Sequence, residues 1–190
     1  EGGALLINNK KYYEKAITIR EKGTNRTKFF KGEVDKYTWV SKGSSYLPGE
    51  LNAAYLYSQL LEAKKITNRR IKIWNNYNNF FKKYEKLNII KRPFVPQYNK
   101  HNAHMFYVLF NNKKKRDKFI DLCKSSGLST VFHYIPLHNS PAGKKYSEFS
   151  GSMKNTKYVS ETIVRFPLWI GIEKKLKNIF KILEKNLRKI

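Results

Sequence analysis

Cysteine is almost absent: the 190-residue chain has one, Cys123, which excludes an internal disulfide and a cysteine-built zinc site. That scarcity fits a reducing compartment such as the cytoplasm. Acid is scarce too, with 14 Asp+Glu against 39 Lys+Arg and a formal net charge of +25. Long apolar runs are missing, so no segment approaches the roughly 20 residues that span a bilayer. The start, Glu1-Gly2-Gly3-Ala4, lacks the charged-then-apolar layout of a signal peptide. The sequence holds no GxGxxG, P-loop, GxSxG or HExxH, so dinucleotide binding, NTP hydrolysis, serine hydrolysis and zinc proteolysis find no support. His101 and His104 lack an acidic partner at ligand spacing, and no metal site is expected.

What is present is apolar enough to fold. Hydrophobic residues make up 41% and aromatics 15%, which excludes intrinsic disorder despite the charge. Only eight of the 39 basic residues are arginine, so 31 are lysine. Groove-reading and phosphate-clamping surfaces favour arginine forks, whereas dispersed lysine describes a solvated exterior. Composition therefore argues against a nucleic-acid partner. A nucleic-acid binder would instead show salt-sensitive heparin retention through a clustered patch.

Along the chain, Ala4–Asn8 reads as a short buried strand and Lys10–Lys22 as a helix closed by Gly23. From Thr24 to Pro48 neither the helical nor the strand period holds. A loop that long in a compact domain is functional or packs on a partner. Residues 50–91 read as one long helical region with Leu51, Ala54, Tyr55, Leu60 and Leu61 on its first stripe. Pro93 and Pro96 end it in an extended connector and mark a domain boundary. Beyond them come a strand over His104–Phe110, a helix over Lys113–Ser126 closed by Gly127, and a strand over Thr130–Ile135. A polar loop over Asn139–Asn155, a strand over Thr162–Phe166 and an amphipathic helix over Ile172–Ile190 complete a small α+β domain. Cys123 falls mid-helix and reads as a packing residue.

Two clusters carry possible chemistry. In His133-Tyr134-Ile135-Pro136-Leu137-His138, strand alternation puts His133 and Tyr134 on opposite faces, and Pro136 turns His138 out from the strand end. The histidines suit acid–base work or hydrogen bonds to a hydroxylated ligand; equally, they suit packing. Gly43-Ser44-Ser45-Tyr46, before a helix, offers hydroxyls and backbone N–H groups to a phosphate; equally, it is a capped turn.

Taken in order, EGGA (1–4), IREKGTNRTKFFKGEVDKYTW (19–39), GSSYLPGELNAAYL (43–56), NAHMFY (102–107), VFHYIPLHNSPAG (131–143) and FPL (166–168) resemble the pyridoxal-phosphate-dependent sugar-nucleotide aminotransferases. The resemblance spans nearly the whole chain. It implies an α/β fold, the C-terminal portion of a type I aminotransferase. Residues 1–92 are then the end of the large cofactor-binding domain, with a dimer-interface loop at 24–48 and the helical region at 50–91. Residues 93–190 are the small α+β domain. It implies the cofactor pyridoxal 5'-phosphate, a homodimer with its active site at the subunit interface, and a cytoplasmic enzyme. That enzyme would move an amino group from glutamate to a dTDP-4-keto-6-deoxy-hexose for surface-polysaccharide or antigen sugars.

Residue by residue, the resemblance points to Ser44 and Ser45 for the cofactor phosphate, Ser45 standing where many relatives carry an asparagine. It points to Arg26, Tyr37, Trp39, His133, Tyr134 and His138 for the substrate. The lysine that carries the cofactor precedes the EGG stretch in the family, so no catalytic residue is expected within these 190 residues and the isolated chain is expected to be inactive. The competing expectation is a non-catalytic remnant or interaction domain that keeps the fold without that lysine.

Overall fold

A computed structural model describes residues 2–190; Glu1, the first residue of the EGGA stretch, lies outside the described residues. The chain forms two compact units, the first ending at Glu62 and the second running from Ala63 to Ile190. The split precedes the Pro93 connector because the helix that follows Ala63 belongs to the second unit's core.

In the first unit, the Asn9 side chain caps a 3-10 turn over Lys10–Tyr12 that leads into α1, Tyr13–Arg20. Helix α1 ends in two left-handed residues, Lys22 (φ 65) and Gly23 (φ 76). The Gly23 N–H donates to the Thr18 carbonyl at 2.8 Å, closing the helix as its glycine predicts. The strand expected over Ala4–Asn8 does not form. No strand pairs with it among the described residues, and Leu6 is 86% exposed.

The 24–48 segment has more structure than its lack of periodicity suggests. It contains a short helix, α2, Arg26–Phe30, and then returns along the end of α1 through paired residues Thr24–Trp39 and Glu21–Ser45. Asn25 pins the return: its backbone N–H donates to Thr38, its side chain donates to the Lys36 carbonyl, and its Oδ1 accepts from the Thr38 N–H. Side chain-to-backbone bonds of this kind organise a chain where periodicity cannot.

The helical region expected over 50–91 is two helices, α3 (Glu50–Leu61) and α4 (Ala63–Lys86), interrupted at Glu62. Neither glycine nor proline marks the break, so the sequence carried no signal for it. The predicted stripe of α3 exists, but Leu51, Tyr55, Leu60 and Leu61 are exposed.

In the second unit, α4 places Ile73, Trp74, Tyr77, Phe81 and Tyr84 on one buried face. They pack on a three-stranded antiparallel sheet of β1 (Ile90–Lys91), β2 (Phe106–Phe110) and β3 (Ile163–Phe166), in that order. The register Phe106–Phe166 and Val108–Val164 gathers the apolar side chains on one face. Rings meet there at close range: Tyr77 stacks on Phe106 at 5.3 Å and Phe81 meets Phe166 at 4.9 Å. Helix α5, Lys113–Ser125, adds Phe119, 4.9 Å from Phe110. It ends at Gly127 (φ 73), as expected.

The expected polar loop 139–155 holds a short helix, α6, Pro141–Tyr146, capped by the Ser140 hydroxyl. Helix α7, Lys154–Thr162, runs directly into β3. The last helix begins as a 3-10 turn at Ile172–Lys175 and continues as α8, Leu176–Leu187, with Leu176, Ile179, Leu183 and Leu187 inward. Cys123 is buried, as expected of a packing residue, and burial pushes its thiol pKa up.

The strand expected over Thr130–Ile135 shortens to one paired residue. Val131 and Arg165 exchange two hydrogen bonds, Val131 N–H to Arg165 O at 3.2 Å and the reverse at 2.7 Å. Pairing stops on both sides for lack of donors. Continuing the register would oppose Ser129 to Pro167, which has no N–H. In the other direction His133 would oppose Ile163, whose N–H already closes α7 on the Val159 carbonyl.

Candidate functional site

Each unit carries one cluster of the residues singled out from the sequence. In the first unit the organising group is Glu21, which the sequence reading missed. Its buried carboxylate accepts from the Thr27 N–H at 3.0 Å and from the Thr27 hydroxyl at 2.8 and 2.9 Å. Burial alone would raise its pKa; the Thr27 bonds and Arg20 together hold it below the ordinary carboxylate value. Arg26 lies at 3.9 Å from the same carboxylate and 5.0 Å over the Phe30 ring, so it is loosely tethered and half exposed. Tyr37 sits 6.3 Å from Phe29, and Trp39 projects outward, 75% exposed.

Ser44 and Ser45 lie on the returning arm, against the end of α1. The Ser44 N–H donates to the Ile19 carbonyl, its carbonyl accepts from Lys22, and the Tyr46 N–H donates to Arg20. Those backbone groups are engaged and cannot cradle a ligand. Ser45 alternates with them: as the non-hydrogen-bonded member of its pair with Glu21, it keeps its N–H and hydroxyl free of partners among the described residues. Two adjacent donors on one exposed residue fit a phosphate oxygen. The Ser44 hydroxyl is exposed beside them.

In the second unit, His133 and Tyr134 do not take opposite faces as strand alternation predicts: pairing has stopped before them, and their rings lie 4.9 Å apart at the sheet edge. They border an open cavity of about 640 Å³ that also meets Pro136, Leu137 and α7. The His133 Nδ1 is buried without a hydrogen-bond partner. Burial lowers its pKa, and the charges of Arg165 and His104 lower it further, so the ring is held neutral. His138 does not join them. It lies in a 3-10 turn over Leu137–Asn139, with its ring 5.4 Å from Phe149.

Arg165 is the basic member of this cluster that sequence reasoning passed over. Its signal was visible: a charged residue inside the apolar strand Thr162–Phe166. Its guanidinium lies 5.9 Å over the Tyr134 ring, and its Nε is buried without a partner. Among the described residues no group of histidine, cysteine, aspartate or glutamate is arranged to hold a metal ion. Among those residues no helix is long and apolar enough to cross a membrane.

The family model of the DegT/DnrJ/EryC1/StrS aminotransferases matches residues 1–184. The protein MJ1066 of Methanocaldococcus jannaschii, itself of uncharacterized function, is 28% identical over 176 residues, covering 89% of this chain and 45% of that protein. Three solved structures share the fold at 16–19% identity. DesV of S. venezuelae aligns with a TM-score of 0.81 at 19% identity, over 97% of this chain and 46% of that one. PseC of Helicobacter pylori, an aminotransferase of pseudoaminic acid biosynthesis, aligns with a TM-score of 0.79 at 18%, over 96% and 48%. Spr1654 of Streptococcus pneumoniae, a candidate sugar aminotransferase in its PMP form, aligns with a TM-score of 0.77 at 16%, over 98% and 46%. The chain thus spans about half the length of the proteins it matches.

Proposed function

The chain belongs to the DegT/DnrJ/EryC1/StrS aminotransferase family, and on that premise we propose that it forms the C-terminal part of a pyridoxal-phosphate-dependent sugar-nucleotide aminotransferase. Residues 1–62 end the large domain, and residues 63–190, whose core includes α4, form the small one. The substrate is a dTDP-4-keto-6-deoxy-hexose, close to the precursor of dTDP-4-amino-4,6-dideoxygalactose. Glutamate gives the amino group, and the product enters surface-polysaccharide or antigen sugars. The enzyme works in the cytoplasm as a homodimer with its active site at the subunit interface.

The observation that carries this reading is Ser45, whose free N–H and hydroxyl offer a phosphate two donors at the place the resemblance assigns. When bound, pyridoxal phosphate supplies the electron sink through which an amino group passes to a ketone. The chain's own residues bind and orient. Ser45, with the Ser44 hydroxyl beside it, holds the phosphate end. Arg26, held only at 3.9 Å by Glu21, keeps donors for the sugar-nucleotide diphosphate. Tyr37 and Trp39 offer exposed rings to the sugar or base. The neutral His133 ring and Tyr134 wall the sugar, and His138 contacts it separately from its own 3-10 turn; a neutral imidazole suits hydroxyl groups better than an imidazolium competing for anions.

The test is to incubate the full-length protein with pyridoxal phosphate, glutamate and dTDP-4-keto-6-deoxyglucose, and to identify the product by NMR. Formation of a 4-amino sugar with 2-oxoglutarate is the expected result. Absence of any amino sugar, with a folded protein that retains the cofactor, overturns the reading.

A further inference from the structure

Helix α8 packs on both α4 and α5. Phe180 stacks on Phe80 of α4 at 4.6 Å, and the Asn186 amide donates to the Leu122 carbonyl of α5 at 3.2 Å. Its inward side is apolar, through Leu176, Ile179, Leu183 and Leu187. Its outward side is cationic. Lys177, Lys181, Lys185 and Arg188 are exposed and recur at intervals of four, four and three residues. At about 100° and about 1.5 Å per residue they fall within an arc of about 80° along about 16 Å of helix.

That row has no acid to answer it. Glu173 and Glu184 are turned to the flank, where they bond Arg69 and Lys83 of α4 at 2.8 Å. Glu184 reaches Arg188 only at 3.5 Å. Lys177, Lys181 and Lys185 make no ion pair among the described residues. On α5, Asp117 and Asp121 line the cavity beside Phe132 and Pro136 instead. Lysine at each turn of one outward face is a pattern, unlike the dispersed exterior that composition alone describes. Like charges four residues apart repel, so the row weakens the helix that carries it. An anionic surface laid along the row relieves that repulsion.

We infer that the outward face of α8 is an electrostatic docking surface for an anionic lipid bilayer. A plane of phosphate head groups meets a straight row of cations along its whole length. A lysine ammonium on its flexible stem follows mobile head groups without a fixed geometry. The row holds no aromatic side chain on which a base would stack, and a single guanidinium for a base edge. It also holds nothing that enters the acyl layer, so attachment is ionic and reversible. The surface does not depend on the reaction proposed above, and the two are tested apart.

The test is flotation of the full-length protein with vesicles of mixed phosphatidylglycerol and phosphatidylcholine, beside vesicles of phosphatidylcholine alone. Binding to the first and not to the second is expected. It is expected to fall steeply as NaCl rises from about 0.1 to about 1 M and the screening length shrinks from about 10 to about 3 Å. Lys177→Gln, Lys181→Gln and Lys185→Gln together keep good helix formers on an exposed face, and are expected to weaken binding roughly 100-fold. The same three positions changed to arginine are expected to bind as the parent does. Lys144→Gln, Lys154→Gln and Lys157→Gln together remove three exposed lysines elsewhere and serve as the control of equal charge. That control is expected to weaken binding by less than about 5-fold. A parent that does not bind the anionic vesicles overturns the proposal. Equal losses in the two glutamine triples do the same, because net charge and not α8 is then the cause. A parent that ignores vesicles but binds duplex DNA through Lys177, Lys181 and Lys185 overturns it too, and assigns the face to nucleic acid.

Discussion

Gly43 lies directly against Gly23: a Cβ on Gly43 would stand 2.1 Å from the Gly23 nitrogen and 2.7 Å from the Ile19 carbonyl oxygen. A Cβ on Gly23 would in turn meet the Ser41 carbonyl oxygen at 1.8 Å. The two glycines let the returning arm dock on the end of α1, and that docking presents Ser44 and Ser45. Backbone on both sides leaves nothing flexible to give way. Gly43→Ala is therefore expected to cost about 2 kcal/mol or more and to undock the arm. Hydrogen exchange at the Lys22 and Ser44 amides reads it. Gly49→Ala, where a Cβ meets nothing within 4 Å, serves as the control and is expected to leave those amides protected.

Glu21 ties the start of α2 to the end of α1 through Thr27, and its contribution depends on pH. Its folded pKa lies below the ordinary 4.5, because the Thr27 bonds and Arg20 outweigh burial. A depressed carboxylate pKa adds stability above the unfolded value, and that stability is lost as pH falls through the folded value. Glu21→Gln is expected to destabilise the protein by about 1–3 kcal/mol at pH 7. The gap between variant and parent closes as pH falls below about 4.5. Urea unfolding at pH 7 and at about pH 3 distinguishes this from a neutral packing role, for which the gap is independent of pH.

Tyr77 links the aromatic core to the exit of β3. It is fully buried, and its hydroxyl donates to the Pro167 carbonyl at 3.0 Å. Burial raises the phenol pKa well above its ordinary 10.0. The neutral form is thus favoured in the fold, so its stability is complete below about pH 10 and lost as pH rises beyond it. Tyr77→Phe is expected to cost about 1 kcal/mol at pH 7 through the unpaired Pro167 carbonyl. It is also expected to make the protein less sensitive to alkali. Unfolding curves at pH 7 and about pH 11 decide whether both effects occur.

What the sequence showed, and what it hid, divides along the kind of interaction involved. Elements fixed by local periodicity and a glycine stop were legible: α1, α5 with Gly127, and α8 with its inward leucines. So was the Phe106–Phe110 strand. Elements decided by donors elsewhere in the chain were not. The Val131 segment alternates like a strand, yet pairs at one residue because Pro167 lacks an N–H and the Ile163 N–H closes α7. The order within 24–48 comes from Glu21, Asn25 and the two-glycine contact, none of which has a period. Of the site, His133 and Tyr134 were visible as a motif, but their opposite facing was not realised, because the segment does not continue as a strand and their rings lie together. Arg165 stood out as a charge in an apolar strand, but its place in the cluster was hidden, because it comes through the Val131 pairing, 34 residues away along the chain.

Ser45 allows a direct test of the phosphate assignment. Its side chain is exposed, its neighbours' backbone bonds do not involve its hydroxyl, and its N–H survives substitution. Ser45→Ala therefore removes one donor and keeps the other, without disturbing the pair with Glu21. In the full-length protein the expected loss is about 1 kcal/mol, or roughly 5-fold weaker pyridoxal phosphate binding, measured by equilibrium dialysis. Ser45→Pro removes the N–H and is expected to weaken the cofactor further than Ser45→Ala. Ser44→Ala is expected to have the smaller effect, because the Ser44 N–H already serves Ile19 and only its hydroxyl is available. Equal cofactor retention in all three folded variants places the phosphate elsewhere and leaves the arm as a structural element alone.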